Sequence, residues 1–331
     1  MIVDVHNHYV SPRVLAAVQR EGARYGARVV ETRNGEPLLQ VGSQRAWRTL
    51  FPALQDLGQR QQALAGQGID HAVLSTWLDL TGYSLPAEQG VAWARLLNDA
   101  MAEDLQAAPP GRFTAVATVP LQDGRAAAAE LQRACGTLGY RGVVIGTNVN
   151  GRNLDARELD PFWAAAQDAG VPIIIHPAFV VETPRLANYH FLNLLGNPYD
   201  TAIAAASLVF GGVCDRFPDL KVVLVHGGGH FPYQIGRLDH GWHARAEARR
   251  FLARPPLDYL RWFYYDTLLY YPPALRYLAS VAGSERLLLG SDYPFEMCPD
   301  DPQRVVREAG LAAEEQERIL QTNPCAVFRL P

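Results

Sequence analysis

The 331-residue chain reads as an α/β protein built on a closed (β/α)8 TIM barrel, and three observations predict this. Eight short, mostly apolar runs alternate along the chain with longer segments that suit helices. The runs are apolar nearly throughout, as in parallel strands covered on both faces, and eight such units are what closes a barrel. None of them is followed by the G-x-G-x-x-G turn into a helix that marks the rival, an open doubly wound sheet. Because parallel barrels routinely exceed ordinary domain length as single units, residues 1–331 are expected to form one domain.

The first run, 2–8, is Ile-Val-Asp-Val-His-Asn-His. Simple strand alternation would put Asp4, His6 and His8 on one face and Val3 and Val5 on the other. Two imidazoles on one face are half of a site for a borderline ion such as zinc. An insertion, 9–53, follows. Within it Asn34-Gly35 separates the apolar stretches 28–32 and 38–41, a hairpin signal, so a small flap is expected where strand one ends.

From there the alternation is regular. Helical segments at 54–67, 87–106, 124–138 and 158–169 lead respectively into strands at 71–77, 113–119, 142–148 and 171–176. Helix 201–216 precedes strand 221–226, a mostly helical 230–251 precedes strand 263–267, and helix 274–281 precedes strand 286–292. Further helices close the chain over 302–328.

Composition removes several functions. With 48% hydrophobic and 19% charged residues and a formal net charge of −4, the chain is ordinarily globular and has no basic footprint for nucleic acid or an anionic membrane. The cysteines Cys135, Cys214, Cys298 and Cys325 show no C-x-x-C spacing, so neither a disulfide framework nor a thiolate metal site is indicated. With no charged-then-apolar leader and no membrane-length apolar run, a soluble, cytoplasmic protein is expected.

Chemistry gathers at one rim. In a parallel barrel the active-site residues stand at the C-terminal strand ends. His6 and His8 end strand one, His176 strand five, His226 strand six and Asp292 strand eight, each after an apolar run. Taken singly, each histidine is as well explained by burial against a backbone carbonyl. Together, three histidines and the aspartate can hold one divalent ion with a position left open for water, whose pKa would fall towards about 7. The remaining histidine is then free to move protons. We assign that role to His226, because Gly227-Gly228-Gly229 behind it leaves room for substrate, although a ligand role for His226 stays open. A bridged second metal is not expected: strand four ends in Ile145-Gly146-Thr147-Asn148, and the sole lysine, Lys221, begins its strand at the opposite rim.

These motifs carry a resemblance that spans essentially the whole chain. Asp4-x-His6-x-His8, Pro172 through Pro177 around His176, His226 through Gly229, Gly236-Arg237 and Gly290 through Phe295 are similar to the amidohydrolase superfamily (amidohydrolase 2 type), in the branch typified by 2-amino-3-carboxymuconate-6-semialdehyde decarboxylase. The resemblance implies zinc on His6, His8, His176 and Asp292, with His226 as acid/base. It further implies that Arg48 holds a substrate carboxylate and that Arg237 reaches the neighbouring site in a homodimer. Phe295 and Tyr189 are candidates for an aromatic wall against the substrate. His190, His230 and Glu296 depart from the branch pattern and bring extra ionisable groups near the mouth. The expected activity is decarboxylation of a small unsaturated or aromatic acid. A hydrolase acting on a C–C, amide or lactone bond, or a non-catalytic metal-binding barrel, are the alternatives.

Overall fold

In a computed structural model the chain is described over residues 1–31, 37–43, 50–181 and 183–330. Its strands in chain order are β1 (Val3–His8), β2 (Ala27–Glu31), β3 (Pro37–Val41), β4 (His71–Ser75), β5 (Phe113–Ala115), β6 (Ala117–Thr118), β7 (Val143–Gly146), β8 (Pro172–His176), β9 (Lys221–Leu224), β10 (Phe263–Asp266) and β11 (Leu287–Leu288). Setting aside the antiparallel pair β2–β3, every pairing is parallel. β5 and β6 make one stave that changes partner, with β5 on β4 and β6 on β7. The barrel closes where β11 meets β1: Val5 N donates to Leu289 O (2.9 Å), Asp292 N to His6 O (2.8 Å) and His8 N to Tyr293 O (2.8 Å). That gives the eight staves expected.

Alternation along the staves sorts their side chains into two layers. Val73, Val116, Val144, Ile174, Val223 and Leu288 meet inside the barrel, where Val327 and Phe328 join them. Their neighbours, among them Leu74, Ile145, Ile173, Ile175 and Leu224, face the surrounding helices. Each such buried aliphatic side chain contributes about 1.5–3 kcal/mol. The interior is therefore a packed plug, and polar chemistry is confined to the mouth.

β1 departs from simple alternation. Val3 and Val5 belong to the interior plug, which by strict period two would turn His6 outward. The pairing with β4 slips between Asp4 and Asn7, a bulge that inserts one residue and resets the phase. After the bulge Asn7 points out, its Oδ1 accepting from Arg60 Nη1 (3.0 Å), while His6 and His8 turn into the mouth. Asp4 does not share their role. Its carboxylate accepts from His6 N (3.1 Å), Ser291 N (3.1 Å) and Ser291 Oγ (2.5 Å), stitching the two closing strands together.

The segment after β1 is more than a hairpin. Ser11 caps a helix, Pro12–Glu21, accepting from Arg13 N with Pro12 in the first turn. This helix and the β2–β3 pair pack Val10, Val14, Val18, Leu39 and Val41 against Trp77, Leu85 and Trp93. The expected Asn34-Gly35 turn lies outside the described residues. Longer helices fall close to expectation, as with Ala87–Ala107, Gly124–Thr137 and Asp160–Ala169. Among the described residues no helix is long and apolar enough to cross a membrane.

Candidate metal centre and active site

The bulged β1, the end of β8 and the loops after β9 and β11 bring His6, His8, His176, His226 and Asp292 into one cluster. Asp292 is its hub: its Oδ1 lies 3.0 Å from His8 Nε2, 3.3 Å from His6 Nε2 and 3.9 Å from His176 Nε2, and its Oδ2 lies 3.8 Å from His226 Nε2. One ligand atom each from His6, His176, His226 and Asp292 also lie within 4.8 Å of one another, so proximity alone does not choose between His8 and His226.

The far ring nitrogens differ between the two. His6 Nδ1 contacts Asp266 Oδ2 (2.7 Å), His8 Nδ1 contacts Ser75 Oγ (3.2 Å) and His176 Nδ1 contacts the carbonyl of Pro177 (2.8 Å). Ser75 Oγ gives its own proton to Asn7 O (3.0 Å), which leaves it an acceptor for His8. All three rings therefore carry the proton on Nδ1 and turn an Nε2 lone pair inward. Those three Nε2 atoms and Asp292 Oδ1 are buried without a hydrogen-bond partner. Buried acceptors aimed at one another are costly, and a divalent cation satisfies all four at once. In His226 it is Nδ1 that is buried without a partner, so its far nitrogen is not held as the others are.

Electrostatics agree with a cation at this point. Burial opposes charge on Asp292, but the attraction of His6 and of the imidazole nitrogens of His176 and His226 turned towards it outweighs burial and holds the carboxyl well below its ordinary range. Burial pushes His176 down to about 3 and His8 also downward. For His6 burial is outweighed by Asp292 and the Asp266 hydrogen bond, and its pKa is pushed up to about 10. One positive charge between two carboxylates is what the cluster favours.

Two adjoining cavities of about 310 Å³ each open over Asp292. One is walled by Trp77, Phe179, His190, Phe295 and Glu296, the other by His226, His230, Tyr233, Leu269 and Tyr270; Asn193, Asn197 and Met297 border both. Phe295 lies at the mouth, its ring 5.2 Å from that of His8 and 5.6 Å from that of Trp77. Tyr189 lines neither cavity; it is 80% exposed against Phe191, and the neighbouring His190 faces the mouth instead. Arg237 is exposed on the helix Phe231–Ala244 and also lines neither cavity. Arg48 lies outside the described residues. Among the described residues no arginine lines either cavity.

The glycine triplet is closely packed, and Gly229 also borders the cavity that His226 lines. Gly227, Gly228 and Gly229 all have positive φ, and a Cβ would fall 2.5 Å from Leu269 Cδ2 at Gly227 and 2.0 Å from Pro198 O at Gly229. This tight turn presents His226, itself at φ +54°. Two residues at the rim were not anticipated. Asp266 ends β10, and Arg60 is fully buried, donating through Nη2 to the carbonyl of His8 and stacking 4.7 Å from the Tyr293 ring. At the end of β7, where a second metal would need a bridge, Thr147 and Asn148 bind Asp200 instead.

A closed parallel barrel whose C-terminal mouth converges three imidazoles and a carboxylate defines a metal-dependent barrel protein. The particular family follows from comparison: residues 3–330 match the amidohydrolase family, and the chain belongs to it. A 2-amino-3-carboxymuconate-6-semialdehyde decarboxylase from Dictyostelium discoideum is 37% identical over 240 residues, 72% of this chain and 66% of that protein. Among solved structures, 2,6-dihydroxybenzoate decarboxylase from Rhizobium is 25% identical with a TM-score of 0.81, covering 99% of this chain and 98% of that one. The 5-carboxyvanillate decarboxylase from Sphingomonas paucimobilis is 25% identical with a TM-score of 0.82, covering 100% and 99%.

Proposed function

We propose that the protein is a divalent-metal-dependent carboxy-lyase that removes carbon dioxide from a small unsaturated or aromatic carboxylic acid. The observation that carries this reading is the convergence of four buried, unpartnered donors, with a fifth group, His226, left over and facing a cavity. His6, His8, His176 and Asp292 hold the ion, and zinc is our choice because three imidazoles and one carboxylate suit it. When bound, the ion supplies Lewis acidity and offsets the negative charge of the substrate.

The rest falls to the chain's own side chains. Phe295 and Trp77 offer flat apolar faces to an unsaturated ring or diene. His226 gives a proton to the carbon that bears the carboxylate. The new C–H bond draws its electron pair from the adjoining double bond; the C–C bond then breaks, its electron pair restores that double bond, and carbon dioxide leaves. General acids of this kind contribute about 10²–10⁴-fold. In this reading Arg48 pairs with the substrate carboxylate and Arg237 enters the site of a second copy in a homodimer. Support for the second idea comes from its exposed position one helical turn after Tyr233, a wall of the mouth. Decarboxylases among the relatives and structural neighbours favour the lyase over the hydrolase.

The test is release of carbon dioxide from a panel of hydroxybenzoic and aminomuconic-type acids, run beside esters, amides and lactones of matched size. The expected result is one carbon dioxide per acid consumed. Faster turnover of a substrate that lacks a carboxylate would assign the site to hydrolysis.

A further inference from the structure

We infer that Asp266 is a positioning residue that sets both halves of the site, fixing the tautomer of His6 through one oxygen and the turn that presents His226 through the other. The inference rests on the metal-site reading above. Asp266 is fully buried at the end of β10. Its Oδ2 accepts from His6 Nδ1 (2.7 Å), and its Oδ1 accepts from Gly227 N (2.8 Å) and Leu268 N (3.2 Å). Gly227 follows His226 directly, and Leu268 and Leu269 wall the cavity on that side. One carboxylate therefore contacts a ligand histidine, the acid/base turn and the cavity wall.

The two oxygens can be separated by substitution. In Asp266→Asn the amide is oriented by Gly227 N and Leu268 N, both donors, which claim its single oxygen. The amide nitrogen then faces His6 Nδ1, donor against donor. The ring escapes by moving its proton to Nε2, where it points into the metal position and removes the lone pair. In Asp266→Ala both oxygens are lost, so the backbone donors of the His226 turn are also left without their acceptor.

The experiment titrates wild type and both variants with Zn²⁺ against a chromophoric chelator, and then measures turnover at saturating Zn²⁺. Both variants should bind Zn²⁺ about 10–100-fold more weakly, the range for loss of an outer partner of a ligand histidine. Asp266→Asn should recover most of its turnover once saturated, whereas Asp266→Ala should not, because its His226 turn is loosened. A purely structural role would lower the melting temperature of both without this split. As a check that needs no variant to fold, imidazole-¹⁵N NMR of the Zn²⁺-loaded wild type should show a low-field Nδ1–H for His6. Wild-type Zn²⁺ affinity in Asp266→Asn, or absence of that Nδ1–H resonance, overturns the inference. A wild type that binds no Zn²⁺ at all would instead overturn the metal-site reading.

Discussion

His8 (3.0 Å) and His226 (3.8 Å) both approach the Asp292 carboxylate, and replacing them one at a time separates a ligand from a proton carrier. Structural zinc sites hold their ion by roughly 10–16 kcal/mol over four ligands, about 2.5–4 kcal/mol per ligand, or about 10²–10³-fold in affinity for each one removed. His8 Nε2 is buried without a partner and its Nδ1 is held by Ser75, so His8→Gln should show a loss of that size. His226 has no such anchor on Nδ1, and its Nε2 stands 3.8 Å from Asp292 Oδ2. His226→Asn should keep about one metal per chain by elemental analysis after gel filtration. Its turnover should fall about 10²–10⁴-fold, or roughly 2.7–5.4 kcal/mol of transition-state stabilisation. If metal leaves with His226 and stays without His8, the two assignments are exchanged and the argument from the far ring nitrogens is wrong.

Two other outcomes follow from residues outside the ligand set. Mixing His226→Asn chains with Arg237→Ala chains should restore activity that neither has alone, since one site of a hybrid dimer receives both intact residues; no rescue in hybrids confirmed by mass would return Arg237 to the role of a surface residue. His71, at the opposite rim, is buried with Nδ1 on Gly111 O (3.0 Å) and Nε2 at Thr114 Oγ1 (2.9 Å), and burial lowers its pKa below the ordinary 6.5. A histidine with a depressed folded pKa takes up protons more readily when unfolded. Its contribution is therefore complete above about 6.5 and lost as pH falls through the folded value. Urea unfolding of His71→Gln should lose this part of the acid slope, and an unchanged slope would assign it to other groups.

Much of this architecture is legible in the sequence because a parallel barrel writes its layers plainly. A strand covered on both faces is apolar until its last residue, so a histidine or aspartate that ends such a run marks the mouth. His176 after Pro172-Ile-Ile-Ile is the clearest case. The β1 bulge is not legible, since it depends on how β1 pairs with β4, which local alternation does not report. The helix Pro12–Glu21 did leave a signal, a serine cap followed by proline, which the stronger Asn-Gly pattern downstream overshadowed. Arg60 resembles any solvated helix arginine until the fold places it behind His8.

The division of labour among the histidines lies deeper than residue identity. All four rings follow apolar runs and all end near one carboxylate, so neither motif nor distance to Asp292 separates ligand from acid. In the proposed assignment what separates them is the partner of the other nitrogen, and those partners come from different places: Ser75 from the neighbouring stave, Pro177 from the next residue, Asp266 from two staves round the barrel from β1. Asp266 ends an apolar run as Asp292 does, and in sequence the two look alike. Only the closed barrel makes one the hub of the histidine cluster and the other the brace behind His6. A carboxylate at a strand end in such a barrel is thus best assigned by which nitrogen of the facing histidine it meets: Nε2 for a fellow ligand, Nδ1 for a support.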